Sequence, residues 1–233
     1  MKGLVNCHAL VGMMLPGLVL LPMVAGATGA ERGRDKMIDL PEALMESSVS
    51  VEEALVKRRS ERHYAATAMK LQDIAQLLWA AQGLTGRTGY RTAPSAGALY
   101  PLEVYVVAGN VEGLATGVYR YQPVQHRLLQ MVSGDLRADL TAAALGQSCI
   151  RNAPACIVVA AVYERATRKY RERGIRYVHM EAGHAAQNVY LQAAALDLGT
   201  VVIGAFHDEK VQRILELPDD VTPLVIMPVG KRR

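Results

Sequence analysis

The chain has 233 residues, 51% of them hydrophobic and 21% charged. That is enough to bury one real core, and it excludes a disordered tail or a fibre. The net charge of +4 permits an anionic ligand, but scattered basic residues and only 5% aromatics give no sign of a nucleic-acid protein.

Lys2 is the only charge before Glu31, and the apolar run "ALVGMMLPGLVLLPMVAGA" follows it. The run is broken by Pro16 and Pro22 and ends in Ala25-Gly26-Ala27, an A-x-A pattern. A positive end, an apolar centre and a small-residue exit describe a secretory signal peptide over residues 1–27, with a mature N-terminus at Thr28. An uncleaved anchor is the alternative, since the run approaches spanning length. Only in that case is a membrane a partner. Lys2 would keep the N-terminus inside under either reading, so the domain is expected outside the cytoplasm, in the periplasm. No twin arginine is present. Residues 28–49 read as a connecting arm. The mature chain keeps Cys149 and Cys156, which could pair in an oxidising compartment or serve as core residues. No cysteine or histidine spacing suggests a metal site.

Ser50-Val51-Glu52-Glu53 forms a capping box, the serine oxygen and the Glu53 carboxylate covering each other's free amides at a helix start. The helix runs into "VKRRSERHY", which gathers Arg58, Arg59 and Arg62 around Ser60 at its C-terminal end. The helix dipole favours cations there, so a solvated helix end and an anion site are both open at this point. "LQDIAQLLWAAQG" has apolar residues at helical spacing and closes on Gly83. The loop "GLTGRTGYRTAPSAGALYP" that follows is too long for an ordinary turn. "LEVYVVA" reads as a strand, "VYRYQPVQHRLLQ" as a hairpin, residues 135–146 as a helix and "CIVVAAVY" as a buried strand. A polar stretch, "ERATRKYRERG", leads into a long helix over 176–197; then come "TVVIGAF" and "PLVIMPVG", apolar strands separated by the helix "DEKVQRILEL". Hairpins mixed with helices, without strict alternation, predict an α+β fold.

Four stretches, "RRSER", "APSAGALYPLEVYVV", "EAGHAAQNVYLQAAALDLGTVVIGAF" and "PVGKRR", occur in an order that resembles the nitroreductase-like flavin oxidoreductases. The resemblance is closest to their SagB-type branch, the thiazoline/oxazoline dehydrogenases, and covers about residues 50–233. It implies a dimeric fold whose central, mostly antiparallel sheet is flanked by helices. It also implies an FMN whose phosphate and ring edge are held by Arg58, Arg59, Ser60 and Arg62. Arginine forks match phosphate oxygens bidentately, so no glycine loop is needed. Pro94, Ser95, Ala96, Gly97 and Ala98 match the segment that lines the flavin from the partner subunit, and Leu99, Tyr100, Pro101, Leu102 and Glu103 continue the SagB-type pattern. Tyr177, Glu181, Gly183, His184, Gln187 and Asn188 follow that branch's next run. By the same resemblance Gly204 and Ala205 offer backbone groups beside the ring's reactive nitrogen, and Gln147 meets its polar edge. Gly230 and Lys231 match the end strand, and the last phosphate contact falls to Lys231 or Arg233.

The implied function is hydride transfer through FMN to or from a small organic substrate. No Rossmann fingerprint appears, so NAD(P)H as a transient donor would visit the flavin face. Lys169 and Tyr170 stand where the resemblance sets the substrate side. They read either as a proton-relaying pair or as an exposed charged face beside Arg168 and Arg171. His184 reads as a residue that packs or caps a hydrogen bond rather than as a base. A non-catalytic flavin-binding or sensing protein is the alternative function.

Overall fold

The computed structural model describes residues 36–86 and 89–233. The signal-peptide reading lies outside the described residues. Among the described residues, seven strands form one sheet in the order β1-β4-β3-β2-β5-β7-β6. They are β1 (Met37–Asp39), β2 (Leu102–Ala108), β3 (Gly117–Gln122), β4 (Arg127–Ser133), β5 (Ala155–Ala161), β6 (Leu198–Thr200) and β7 (Thr222–Lys231). Every paired neighbour runs antiparallel, as the α+β expectation required. β5 is buried at all seven positions, because it lies between β2 and β7 with helices on both faces. That explains an unbroken apolar run where an edge strand would alternate.

The helices are α1 (Val51–Lys57), α2 (Leu71–Gln82), α3 (Arg137–Ala143), α4 (Ser148–Asn152), α5 (Tyr163–Tyr170), α6 (Arg173–Ala195) and α7 (Asp208–Ile214). On one face Ile74, Leu77 and Leu78 of α2 and Val189 of α6 pack on Val104, Val106 and Tyr119 of the sheet. On the other, Leu140 of α3, Ile150 of α4 and Val211 of α7 pack on Val107, Val158 and Ile226. A third cluster joins Ala166 of α5 and Val178 and Ala182 of α6 to Leu102 and Val159. The small residues of α6 are thus core contacts that let a helix approach a sheet closely. Cys149 and Cys156 are both buried and free, and burial raises both thiol pKa values; they behave as small core residues.

Several expectations need correction. The connecting arm is not wholly irregular: β1 lies inside it and pairs with β4. Ser50 Oγ does accept from the Glu53 amide at 3.1 Å, but the Glu53 carboxylate turns to Lys57 Nζ at 2.5 Å instead of completing the box. The polar stretch before the long helix is itself the helix α5, and α4 was not foreseen. Of "TVVIGAF" only Thr200 belongs to a strand; Ile203 makes a single bridge to Ile226 and the rest is loop.

The run after α1 lies along the outer end of the β6–β7 pair. Glu61 N donates to Thr200 O and Ala65 N to Lys231 O, each at 2.9 Å. Buried Tyr64 sits over Gly230, where a Cβ would come within 2.8 Å of Pro154 Cδ and 3.0 Å of Tyr64 Cβ. Gly230→Ala therefore displaces Tyr64 and the arginine run with it. Overpacking of this kind costs about 1–3 kcal/mol, read as a lower urea midpoint with an unchanged m-value.

Candidate functional site

The structure brings the candidate residues together in three groups. The first surrounds the arginine run. Arg58, half-buried at the end of α1, places its guanidinium 5.2 Å from the ring centre of Tyr190. Tyr190 Oη accepts from the Val202 amide at 2.9 Å and meets Ser60 Oγ at 3.0 Å. One hydroxyl proton joins the two oxygens, so a single phenol ties the arginine run to the 201–206 loop. Arg59 folds back onto the carbonyls of Val56 and Arg58, which are free because the helix ends there. Arg62, Lys231 and Arg233 are exposed at the same corner, joined through the Ala65–Lys231 bond and the Tyr64–Arg232 bridge. Arg232 is occupied with the Leu198 carbonyl at 3.2 Å. Among the described residues, none of Arg58, Arg59, Arg62, Lys231 or Arg233 is paired with a carboxylate. A corner of cations that form no ion pairs among the described residues suits a phosphate group.

The second group centres on the Pro94–Ala98 loop. Its backbone turns through three positive φ values, Gly97 (63°), Ala98 (54°) and Tyr100 (45°). Glycine adopts this conformation freely, whereas alanine and tyrosine resist it at a cost on the order of 1–3 kcal/mol each. Two side chains hold the turn. Ser95 Oγ accepts from the Tyr100 amide at 2.9 Å, and Glu181 Oε1 accepts from the Ala96 amide at 2.9 Å. Lys169 and Tyr170, at the end of α5, close over the same loop. A Cβ at Gly97 would lie 2.7 Å from Tyr170 Oη and 2.9 Å from Lys169 Nζ. Lys169 is itself exposed and Tyr170 half-buried, so the pair lies on the surface of α5 as well as against the loop. Arg168 turns to Glu164 at 3.0 Å, while Lys169 and Tyr170 face Gly97, the phenol braced edge-on by Tyr177 at 5.1 Å. A lysine and a phenol aimed at one point can hold and move a proton there.

The third group is Gln147 with the 201–206 loop. Gln147 Nε2 donates to Ala144 O at 3.1 Å and to Ala205 O at 3.0 Å. Both amide hydrogens are thereby used, so Gln147 fixes the loop and has only its carbonyl oxygen left for a ligand. Gly204 and Ala205 are exposed, and a Cβ on Gly204 would meet nothing within 4 Å. A flat ring could lie on that open backbone. Gly230, in contrast, lies beneath Tyr64 and supports the first group from below.

Sequence reasoning missed Tyr190 as a site residue. It carried no signal, since its partner Ser60 is 130 residues away. Glu181 was read only as part of a run; its place under the loop depends on being 4% exposed. His184, by contrast, is exposed on α6.

The chain matches the nitroreductase family profile over residues 55–231. It is 45% identical over 195 residues to a protein of Methanocaldococcus jannaschii provisionally named a nitroreductase, covering 84% of this chain and 96% of that one. A crystal structure from Ralstonia eutropha, also provisionally called a nitroreductase, superposes with a TM-score of 0.75 at 30% identity, over 89% of this chain and 93% of the other. The chain is also similar to McbC of Escherichia coli, the microcin B17-processing protein, at 32% identity over 60% of this chain and 54% of McbC. A structure of the microcin synthetase McbBCD complex with truncated pro-MccB17 bound matches with a TM-score of 0.65 at 27% identity, over 83% of this chain and 79% of that one.

Burial raises the pKa of Glu181, against the opposing pull of the Ala96 amide, Ser95 and His184. A carboxyl whose folded pKa is raised contributes stability below its unfolded pKa and loses it as pH rises through the folded value. Wild type should therefore lose stability relative to Glu181→Gln as pH climbs from the ordinary glutamate range through the raised one. Urea midpoints across that window check the sign.

Proposed function

The chain belongs to the nitroreductase family, and from that premise we propose that it is an FMN-dependent oxidoreductase. The likeness to McbC supports the SagB-type resemblance. The observation that carries the cofactor assignment is the corner of cations free of ion pairs among the described residues, beside an open backbone loop. Bound FMN would supply the two-electron chemistry. The remaining tasks fall to the chain. Arg58, Arg59, Ser60 and Arg62 hold the phosphate, with Lys231 or Arg233 as the last contact. The 201–206 loop, fixed by Gln147 and Tyr190, presents Gly204 and Ala205 to the ring. Lys169 and Tyr170 manage the proton of a small organic substrate, and NAD(P)H is a transient electron donor on the open face.

The proposed unit is a homodimer, and the phase of α6 supports it. Glu181 and Tyr190 are nine positions apart, about two and a half turns, so they project to opposite sides of the helix. One chain therefore holds its arginine corner and its Pro94–Ala98 loop on different sides of α6. The face between them, with Met180, Gly183, His184 and Gln187, is exposed. A second copy covering that face would bring its own loop to the first chain's arginine corner.

Each charge-assisted bond to phosphate contributes about 1.5–3 kcal/mol. Arg58→Ala with Arg62→Ala should give a folded, colourless protein where wild type is yellow with one FMN per chain. Absorbance of the purified proteins checks this, and full occupancy in the double variant would refute the phosphate assignment.

Lys169→Ala and Tyr170→Phe should keep the flavin and slow substrate turnover by roughly 10²–10⁴. Steady-state rates beside flavin content separate the two effects. Wild-type turnover in both variants would make the pair a structural brace for Gly97.

A further inference from the structure

A second concavity, about 310 Å³ in volume, opens where the start of β2, the β3–β4 turn and the end of α2 meet. Three guanidinium groups line it, Arg91, Arg120 and Arg127, with one carboxylate, Glu103. Glu103 is already committed, since Arg165 Nη2 lies 2.5 Å from it. Among the described residues, the hydrogen-bond partners of Arg91 and Arg127 are neutral. Arg91 Nη1 donates to Gln82 Oε1 at 2.8 Å and Arg127 Nε to Gln122 Oε1 at 2.9 Å. Arg120, half-buried, reaches no carboxylate among the described residues. Arg91 is half-buried and stacked 4.7 Å over the Tyr100 ring. Burial, followed by the Arg165 charge, lowers its pKa despite the pull of Glu103.

Gathering guanidinium groups in a partly desolvated hollow is unfavourable unless an anion joins them. Their planar forks suit carboxylate or phosphate oxygens. Exposed Val124, with half-buried Pro123 beside it, adds an apolar wall that an inorganic ion would not use. We propose that this cavity binds a small organic anion, its oxyanion head on Arg91, Arg120 and Arg127 and its carbon body against that wall. The cavity also touches the candidate active site. Tyr100, beneath Arg91, donates its amide to Ser95 Oγ and accepts at its carbonyl from Arg165 Nη1 at 3.1 Å. A bound anion would thus sit one side chain away from the strained Pro94–Ala98 loop. The binding step itself does not depend on the flavin reading.

Titration calorimetry on the purified full chain, with succinate, glycerol 3-phosphate and neutral succinamide as probes, tests this. Saturable binding of either anion is expected, with none of succinamide, and which anion binds distinguishes a carboxylate from a phosphate site. Arg120→Gln with Arg127→Gln should weaken binding about tenfold or more. Val124→Glu, at an exposed rim position, removes no polar contact, adds a competing carboxylate and should weaken it too. Arg62→Gln, in the other arginine group, should leave it unchanged. No saturable binding of either anion up to about 10 mM would overturn the proposal. So would binding that survives both cavity variants, or binding that Arg62→Gln abolishes.

Discussion

The arrangement of this molecule depends on where α6 places its side chains. Its buried stripe, Val178, Ala182, Ala185, Ala186, Val189 and Ala193, fixes the rotation of the helix against the sheet. Alanines dominate because the sheet is close, and any larger residue would push the helix away. With that rotation fixed, Glu181 must face the Pro94–Ala98 loop and Tyr190 must face the arginine run. Both contacts order irregular backbone: one holds a loop with unfavourable φ values, the other ties residue 60 to the 201–206 loop. The halves of the candidate site are therefore positioned by one rigid element, and they are separated by it as well.

The pattern of used and unused polar groups follows from this. Groups that hold backbone in place have their partners: Glu181 has an amide, Tyr190 an amide and a hydroxyl, and Gln147 two carbonyls. Groups expected to meet a ligand are less fully used: Arg59 has only backbone carbonyls, the cations of the arginine corner make no ion pair among the described residues, and the Gly204 backbone is open. The stiff half of a site is satisfied in advance so that the other half can be left unsatisfied at little cost in order. The lysine and tyrosine over Gly97 belong to the second kind, because the position their polar ends approach carries no side chain.

Much of the fold was legible in the sequence. α2 shows its apolar spacing, β5 its unbroken apolar run and α6 its small-residue stripe, and each of these reports burial directly. α5 was not legible because its one buried residue, Ala166, is lost among charges that all face solvent. α4 is five residues and β6 is three, too short for any period to show. Thr200–Phe206 looked like a strand because it is apolar, but beyond Thr200 only Ile203 meets the sheet, by one bridge, and Val201 and Ile203 are buried as core residues rather than as part of a ladder. For the site, residue types and order pointed to the arginine run and the Pro94–Ala98 loop through the family resemblance. The bracing roles of Tyr190 and Gln147 were hidden, since Tyr190 meets the Ser60 hydroxyl 130 residues away and Gln147 the Ala205 carbonyl 58 residues away.

The central claim, that two chains complete one flavin site, can be tested with two defective variants. Arg58→Ala/Arg62→Ala removes the phosphate contacts, and Gly97→Val places a branched side chain at a positive φ and against Tyr170 Oη and Lys169 Nζ. Each homodimer should be colourless. Co-expressed with different affinity tags and isolated as a heterodimer, the two variants share one site in which both contributing halves are wild type. FMN released from that heterodimer is the measurement. The two-chain account predicts about one FMN per heterodimer; a heterodimer as empty as its parents would contradict it.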